Sequence, residues 1–187
     1  NIGGGIKFNL SLLESFKIPF YSIEGYEGED IIATIVAKLN GGSRLGSNSN
    51  SVGRARPILR PSGARGEDLE FFIVSGDRDV LQLVNDQVKV YSPKKGLSDP
   101  IIYGPENVET VFGVTAAQIP DYKGLRGDPT DRIPGVFGIG EKTAGKLISQ
   151  YGSVENVLAH THELKGKLRE NLEAFREQAL LSKRLAT

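Results

Sequence analysis

Cysteine, methionine and tryptophan are all absent from these 187 residues, and histidine occurs only twice. Without Cys there is no disulfide and no thiolate metal site, which fits an intracellular protein. His160 and His162 fall in a polar stretch and read as linker residues rather than ligands. The missing Met means that Asn1 is not a translation start, so a fragment or trimmed chain is expected. No segment nears the roughly 20 apolar residues that a membrane-spanning helix needs. A basic start followed by a long apolar run, the mark of a signal peptide, is also lacking. Net charge is zero, with Lys+Arg and Asp+Glu both numbering 23. Nucleic-acid binders are more often basic, but a neutral sum also accommodates an acidic metal pit surrounded by basic phosphate contacts.

What is present supports a core: 39% of the residues are apolar, in a length that suits one large domain or a domain with a small appendage. Phe8–Phe16 has helical spacing, Phe20–Ile23 reads as a strand after Pro19, and Glu27–Leu39 reads as a helix with an acidic first turn. Residues 40–66 are Gly/Ser/Asn/Arg-rich without a period, and every charged residue from Arg44 to Arg65 is Arg. This stretch reads as a flexible insertion, either a solubilising loop or a DNA contact. Phe71–Val74 is a continuous apolar run, expected as a parallel strand buried on both faces. A short helix at Arg78–Val84, strands at Val88–Tyr91 and Ile101–Tyr103, and helices at Pro105–Phe112 and Thr115–Leu125 follow. Strands alternating with helices predict an α/β class with a mainly parallel central sheet flanked by helices. From Gly140 onward the chain is helical, with a stripe at Leu164, Leu168, Leu172, Phe175 and Ala179.

Three acidic groups stand where an α/β fold places its site, beyond the strand ends. Glu27, Glu29 and Asp30 follow the first strand, Asp77 and Asp79 the buried one, and Asp128 and Asp131 lie in a Gly-rich loop. Each group has a plainer reading, respectively as dipole complement, helix cap and turn residues. Together the seven carboxylates would repel one another unless cations lay between them, and Mg²⁺ or Mn²⁺ suits their hard oxygens. Two such ions about 3.5–4 Å apart can activate a water and stabilise the leaving oxygen of a phosphodiester. Directly after the loop come Gly138 and Gly140, a hairpin opening a helix that carries Lys142 and Lys146 at i, i+4. Amides at a helix N-terminus bind phosphate, and such a hairpin grips the backbone without reading bases.

Glu27-Gly28-Glu29-Asp30, Ser75-Gly76-Asp77-Arg78-Asp79 and the loop Gly127–Val136 resemble motifs of the 5′→3′ exonuclease domain of bacterial DNA polymerase I, within the flap endonuclease family of 5′ nucleases. The resemblance covers nearly the whole chain except 40–66. It implies a PIN-like nuclease core at 1–125 and a helix–hairpin–helix subdomain at 126–187. It also implies divalent-metal-dependent cutting of nicked, flapped or branched duplex DNA in replication and repair. By the same resemblance Glu27, Glu29, Asp30, Asp77, Asp79, Asp128 and Asp131 hold two ions. Asp77, Asp79, Asp128 and Asp131 are then catalytic, and Gly138, Gly140, Lys142 and Lys146 bind DNA. Glu29 stands where the family has Asp, and Arg132 where it has Asn. The family's first strand and basic arch are expected to precede this chain, which as a fragment is expected to be inactive. A monomer is expected, with a polymerase joined to it or separate, in a bacterial cytoplasm or a eukaryotic organelle. A non-catalytic DNA-binding module and a related ribonuclease remain alternatives.

Overall fold

Residues 11–39, 70–93 and 100–187 are described in the computed structural model of the chain, which divides into two units, Asn1–Glu67 and Asp68–Thr187. The expected insertion at 40–66 lies outside the described residues.

In the first unit, helix α1 is described over residues 11–15. It ends at Lys17, whose φ of 57° lets its amide return to Glu14 O and that of Ile18 to Leu13 O. The strand expected at Phe20–Ile23 does not form among the described residues. Pro19 offers no donor to a ladder, and Phe20, Tyr21 and Ile23 leave their side chains exposed rather than packed on a pleated face. Helix α2, Gly28–Leu39, starts on Glu29 and Asp30 and ends with Lys38 in its last turn, both favourable to its dipole.

The second unit carries the sheet. Strand β1 (Phe71–Val74) pairs parallel with β2 (Val88–Ser92), Phe71 against Val88 and Ile73 against Val90. Strand β3 (Ile101–Tyr103) pairs antiparallel with β2, giving the order β1-β2-β3. The sheet described is thus small and mixed rather than mainly parallel. Eight residues, 93–100, separate β2 from β3, fewer than the roughly dozen that a parallel crossover takes. Nor is β1 buried on both faces: Ile73 is buried, while Phe72 and Val74 are exposed, as an edge strand with one packed face requires. The link from β1 to β2 contains a 3₁₀ turn, Asp79–Leu83, which buries Val80 and Leu81.

After β3 come α3 (Pro105–Phe112), a 3₁₀ turn (Ala116–Gln118) and α4 (Ile119–Arg126). A non-helical loop leads to α5 (Glu141–Tyr151), α6 (Val154–Ala159), a 3₁₀ turn (Thr161–Glu163), α7 (Gly166–Ala174) and α8 (Arg176–Ala186). The expected stripe is broken at Phe175 into α7 and α8. Leu172 and Ala179 are fully buried, and Leu164, Leu168 and Phe175 pack around them. Val114, Tyr122 and Leu125 share one apolar cluster with Val136, Ile139, Leu147, Ile148 and Val157. Each large aliphatic residue so buried contributes about 1.5–3 kcal/mol. Helix α4 packs into this cluster through Tyr122 and Leu125. The cluster holds α4 rigidly beneath the loop that follows.

Candidate functional site

Helix α4 buries every residue from Ile119 to Leu125, including a lysine. A buried ammonium needs partners, because losing its hydration costs far more than packing returns. Lys123 has three. Its Nζ bonds Asp79, which starts the 3₁₀ turn after β1, lies 2.9 Å from Asp128 Oδ2 and reaches Asp131 Oδ2 at 3.5 Å. The three carboxylates present oxygens all within 4.8 Å of one another. Exposure rises across the group: the Lys123 side chain is 7% exposed, Asp128 15%, Asp79 29% and Asp131 44%, so the cluster opens on the Asp131 side.

The loop from Gly127 to Gly135 holds two of these carboxylates. Asp128 and Ile133 exchange backbone hydrogen bonds at 2.8 Å in both directions, closing the loop into a narrow bridge. Asp128 Oδ1 accepts the Thr130 N–H at 3.0 Å, leaving Oδ2 for Lys123. At the loop's exit the Gly135 N–H donates to buried Ser182 Oγ at 3.0 Å, while Gln178 Nε2 donates to Gly135 O at 2.6 Å. Helix α8 therefore clamps the exit from both sides. Gly135 lies so close under Arg126 and Gly127 that a Cβ there would overlap their backbone, so no other residue fits. Arg132 takes a left-handed conformation, φ 58°, which Asn adopts more readily than Arg.

One ammonium cannot neutralise three carboxylates, and the titration directions show where the imbalance falls. Burial pushes the Asp79 carboxyl up, and Asp131 and Asp77 add to this against the pull of Lys123. Burial would also raise Asp128, but the hydrogen bonds from Lys123 and from the Thr130 amide hold it below the ordinary range. Lys123 itself would be lowered by burial, yet its bonds to Asp128 and Asp79 raise it. The ammonium is firmly charged, and Asp79 is the carboxylate most in need of further positive charge.

Of the seven carboxylates singled out in the sequence, the structure brings Asp79, Asp128 and Asp131 together. Asp77 stays outside this group, exposed, with its Oδ1 accepting the Asp79 N–H at 2.9 Å in a local turn; the cap position of the 3₁₀ turn is Arg78, so Asp77 is not the helix cap of its plainer reading. Glu27, Glu29 and Asp30 belong to the first unit. There Asp30 Oδ2 accepts the Glu27 N–H at 3.1 Å, as an N3 residue of a capping box does. Sequence reasoning missed Lys123. The available signal was a lysine one turn after Ile119, inside the helix expected at Thr115–Leu125.

Beyond the loop, residues 136–140 make a hairpin between α4 and α5. Gly140 caps α5 with extended backbone (φ −96°, ψ −178°) and has nothing within 4 Å of the place a Cβ would take. Gly138 has φ 78° and lies against the Asn171 amide, whose Nδ2 donates to Phe137 O at 2.8 Å. Lys142 and Lys146 are exposed on α5, and neither forms an ion pair among the described residues. The Phe137 ring, 72% exposed, stands beside this face, 6.3 Å from that of Phe175.

Residues 114–187 match the family 5′-3′ exonuclease, C-terminal SAM fold. Over 94% of its length the chain is 46% identical to DNA polymerase I of Bacillus caldotenax, and over 96% it is 40% identical to that of Bacillus subtilis (strain 168). It spans 17% and 18% of those polymerases. Its fold resembles T5 5′-exonuclease with bound zinc ions, with a TM-score of 0.69 at 24% identity, covering 93% of this chain and 54% of that one. T5 D15 flap endonuclease, in a pseudo-enzyme-product complex with DNA and metal ions, gives 0.68 at 23% identity over the same shares.

Proposed function

We propose, for a chain that belongs to the 5′-3′ exonuclease domain family of DNA polymerase I, that it hydrolyses DNA phosphodiester bonds at 5′ ends and flaps with divalent metal ions. The observation that carries this reading is the convergence of Asp79, Asp128 and Asp131 on a loop that runs directly into a hairpin and the N-terminus of α5. Three hard oxygen donors within 4.8 Å fit Mg²⁺ or Mn²⁺. Bound there, such ions supply an activated water and charge stabilisation at the leaving oxygen. We assign the ion-holding role to Asp79, Asp128 and Asp131. Asp77 acts from further out, through water.

The hairpin binds DNA by its backbone. The free amides at the start of α5 and the open approach at Gly140 favour a phosphate, and Lys142 and Lys146 add charge on the same helix. We divide the labour between a nuclease core, residues 1–125, and a hairpin region, residues 126–187. The Ser182 and Gln178 clamp on Gly135 ties the two functions, fixing the distance between carboxylates and gripped phosphate. This activity serves replication and repair alongside a polymerase. Incubating the chain with a 5′-flap duplex, with Mg²⁺ and then with excess chelator, tests the proposal. Metal-dependent release of the flap is expected when the family's first strand and basic arch are supplied ahead of the chain. DNA binding without any cutting would instead favour a non-catalytic binding module.

A further inference from the structure

Lys123 holds the centre of the acidic group, and its size matters. An ammonium sits about 2.8–2.9 Å from the oxygens it bonds, whereas Mg²⁺ binds oxygen at about 2.1 Å. Asp128 Oδ2 and Asp131 Oδ2 stand 2.9 and 3.5 Å from the Lys123 ammonium, distances set for the larger cation. An ion held directly by Asp79, Asp128 and Asp131 needs them to close in, and leaves no room for the ammonium between them.

We propose that Lys123 is a built-in counter-ion, occupying the Asp79–Asp128–Asp131 centre until a divalent cation displaces it, and so setting the metal affinity of the site. The inference rests on the reading of these carboxylates as metal ligands. Lys123 is a positioning residue in this account, not a catalytic one. It has somewhere to go: Asp131 is both its longest contact and the most exposed member, so the flexible side chain leaves on that side. The consequence is a trade. Without metal, Lys123 keeps the carboxylates from repelling one another and holds the loop 127–135 against the turn at Asp79. With metal, the ion must first overcome the ammonium's bonds, so the affinity is lower than three converging carboxylates would otherwise give.

Two measurements on the 187-residue chain test this without reference to cutting. The first labels lysines with an acylating reagent and reads Lys123 by mass spectrometry, in chelator and in saturating Mg²⁺ or Mn²⁺. Lys123 should be protected in chelator and labelled at least fivefold faster with metal; labelling that stays the same or slows overturns the proposal. The second titrates Mn²⁺ by calorimetry into the unaltered chain, Lys123→Met and Lys123→Arg. Lys123→Met should bind at least tenfold more tightly while Lys123→Arg stays near the unaltered value; equal or weaker binding by Lys123→Met overturns the proposal. Should Lys123→Met fail to fold, labelling of the unaltered chain decides alone. Tighter binding by Lys123→Met in a chain that never cuts DNA would uphold this inference and sink the nuclease reading. Metal-dependent cutting with unchanged affinity in Lys123→Met would do the reverse.

Discussion

Gly138 and Gly140 are two residues apart in one hairpin, yet the protein needs them for different reasons, and replacing each by Ala should separate folding from binding. At Gly140 the backbone is extended and a Cβ would meet nothing within 4 Å, so the fold gives no reason for glycine there. As an N-cap, Ala is worse than Gly by up to about 1 kcal/mol, and reduced freedom in the unfolded chain returns about 0.4–1 kcal/mol. Gly140→Ala should thus change stability by less than about 0.5 kcal/mol and move Tm by under about 2 °C. DNA affinity should respond strongly, since a methyl group in the phosphate's path weakens charge-assisted hydrogen bonds worth about 1.5–3 kcal/mol, a tenfold to hundredfold loss. The salt dependence should hold, because no cation is removed. Gly138→Ala is the contrast. Its φ of 78° costs an L-residue about 1–2 kcal/mol, and the added Cβ, 2.8 Å from Asn171 Nδ2, disturbs a hydrogen bond worth about 1 kcal/mol. Together about 2–3 kcal/mol should lower Tm by about 4–12 °C. Thermal melts and fluorescence anisotropy on a nicked duplex, at two salt concentrations, read both effects. If Gly140→Ala binds DNA as well as the unaltered chain, or melts like Gly138→Ala, the phosphate cradle is misassigned.

Other outcomes follow from the same geometry. Lys142→Ala should weaken DNA binding for all sequences alike and reduce the slope of log K against log salt by about one; an unchanged slope removes Lys142 from the interface. Arg132→Asn should raise stability by about 1 kcal/mol, read from denaturant unfolding, because Asn tolerates the left-handed φ of 58° at lower cost. The hydrogen bond from Lys183 holds the Glu155 carboxyl below its ordinary value, so its contribution is present above the unfolded value near 4.3 and is lost as pH falls through the folded one. Lys183→Met should flatten that acid loss in Tm-versus-pH curves. It should also lower stability near pH 7 by about 3 kcal/mol, since Asp121, 11% exposed and 2.7 Å from Lys183 Nζ, is left without its cation.

Much of the acidic cluster was legible in the sequence. Asp128, Asp131, Gly138 and Gly140 sit in one continuous segment whose turn residues and helix start carry local signals, and such signals survive folding. Asp79 was readable because it follows an apolar strand. The cation among them was not, since Lys123 is identified only by what α4 packs against, and a lone helical lysine ordinarily faces water. The sheet misled for a related reason. A four-residue apolar run reads equally as a strand buried on two faces or as an edge strand with Phe72 and Val74 exposed, and only the neighbours decide. Phe20–Ile23 has the composition of a strand, but composition supplies no partner. The stripe from Leu164 to Ala179 placed the right residues in the core and missed the break at Phe175, where the backbone departs from the helix without a Pro or Gly to announce it.

The most direct test of the account is Asp128→Asn assayed on a 5′-flap duplex in Mg²⁺, with cleavage rate and DNA affinity measured on the same preparation. Asp128 offers the cluster its least exposed carboxylate, while the hairpin proposed to hold phosphate lies outside it. The rate should fall at least a hundredfold while affinity changes less than threefold, because a metal anchor is lost and no phosphate contact is. Equal losses in rate and affinity, or undiminished cutting by Asp128→Asn, would contradict a metal centre at Asp79, Asp128 and Asp131.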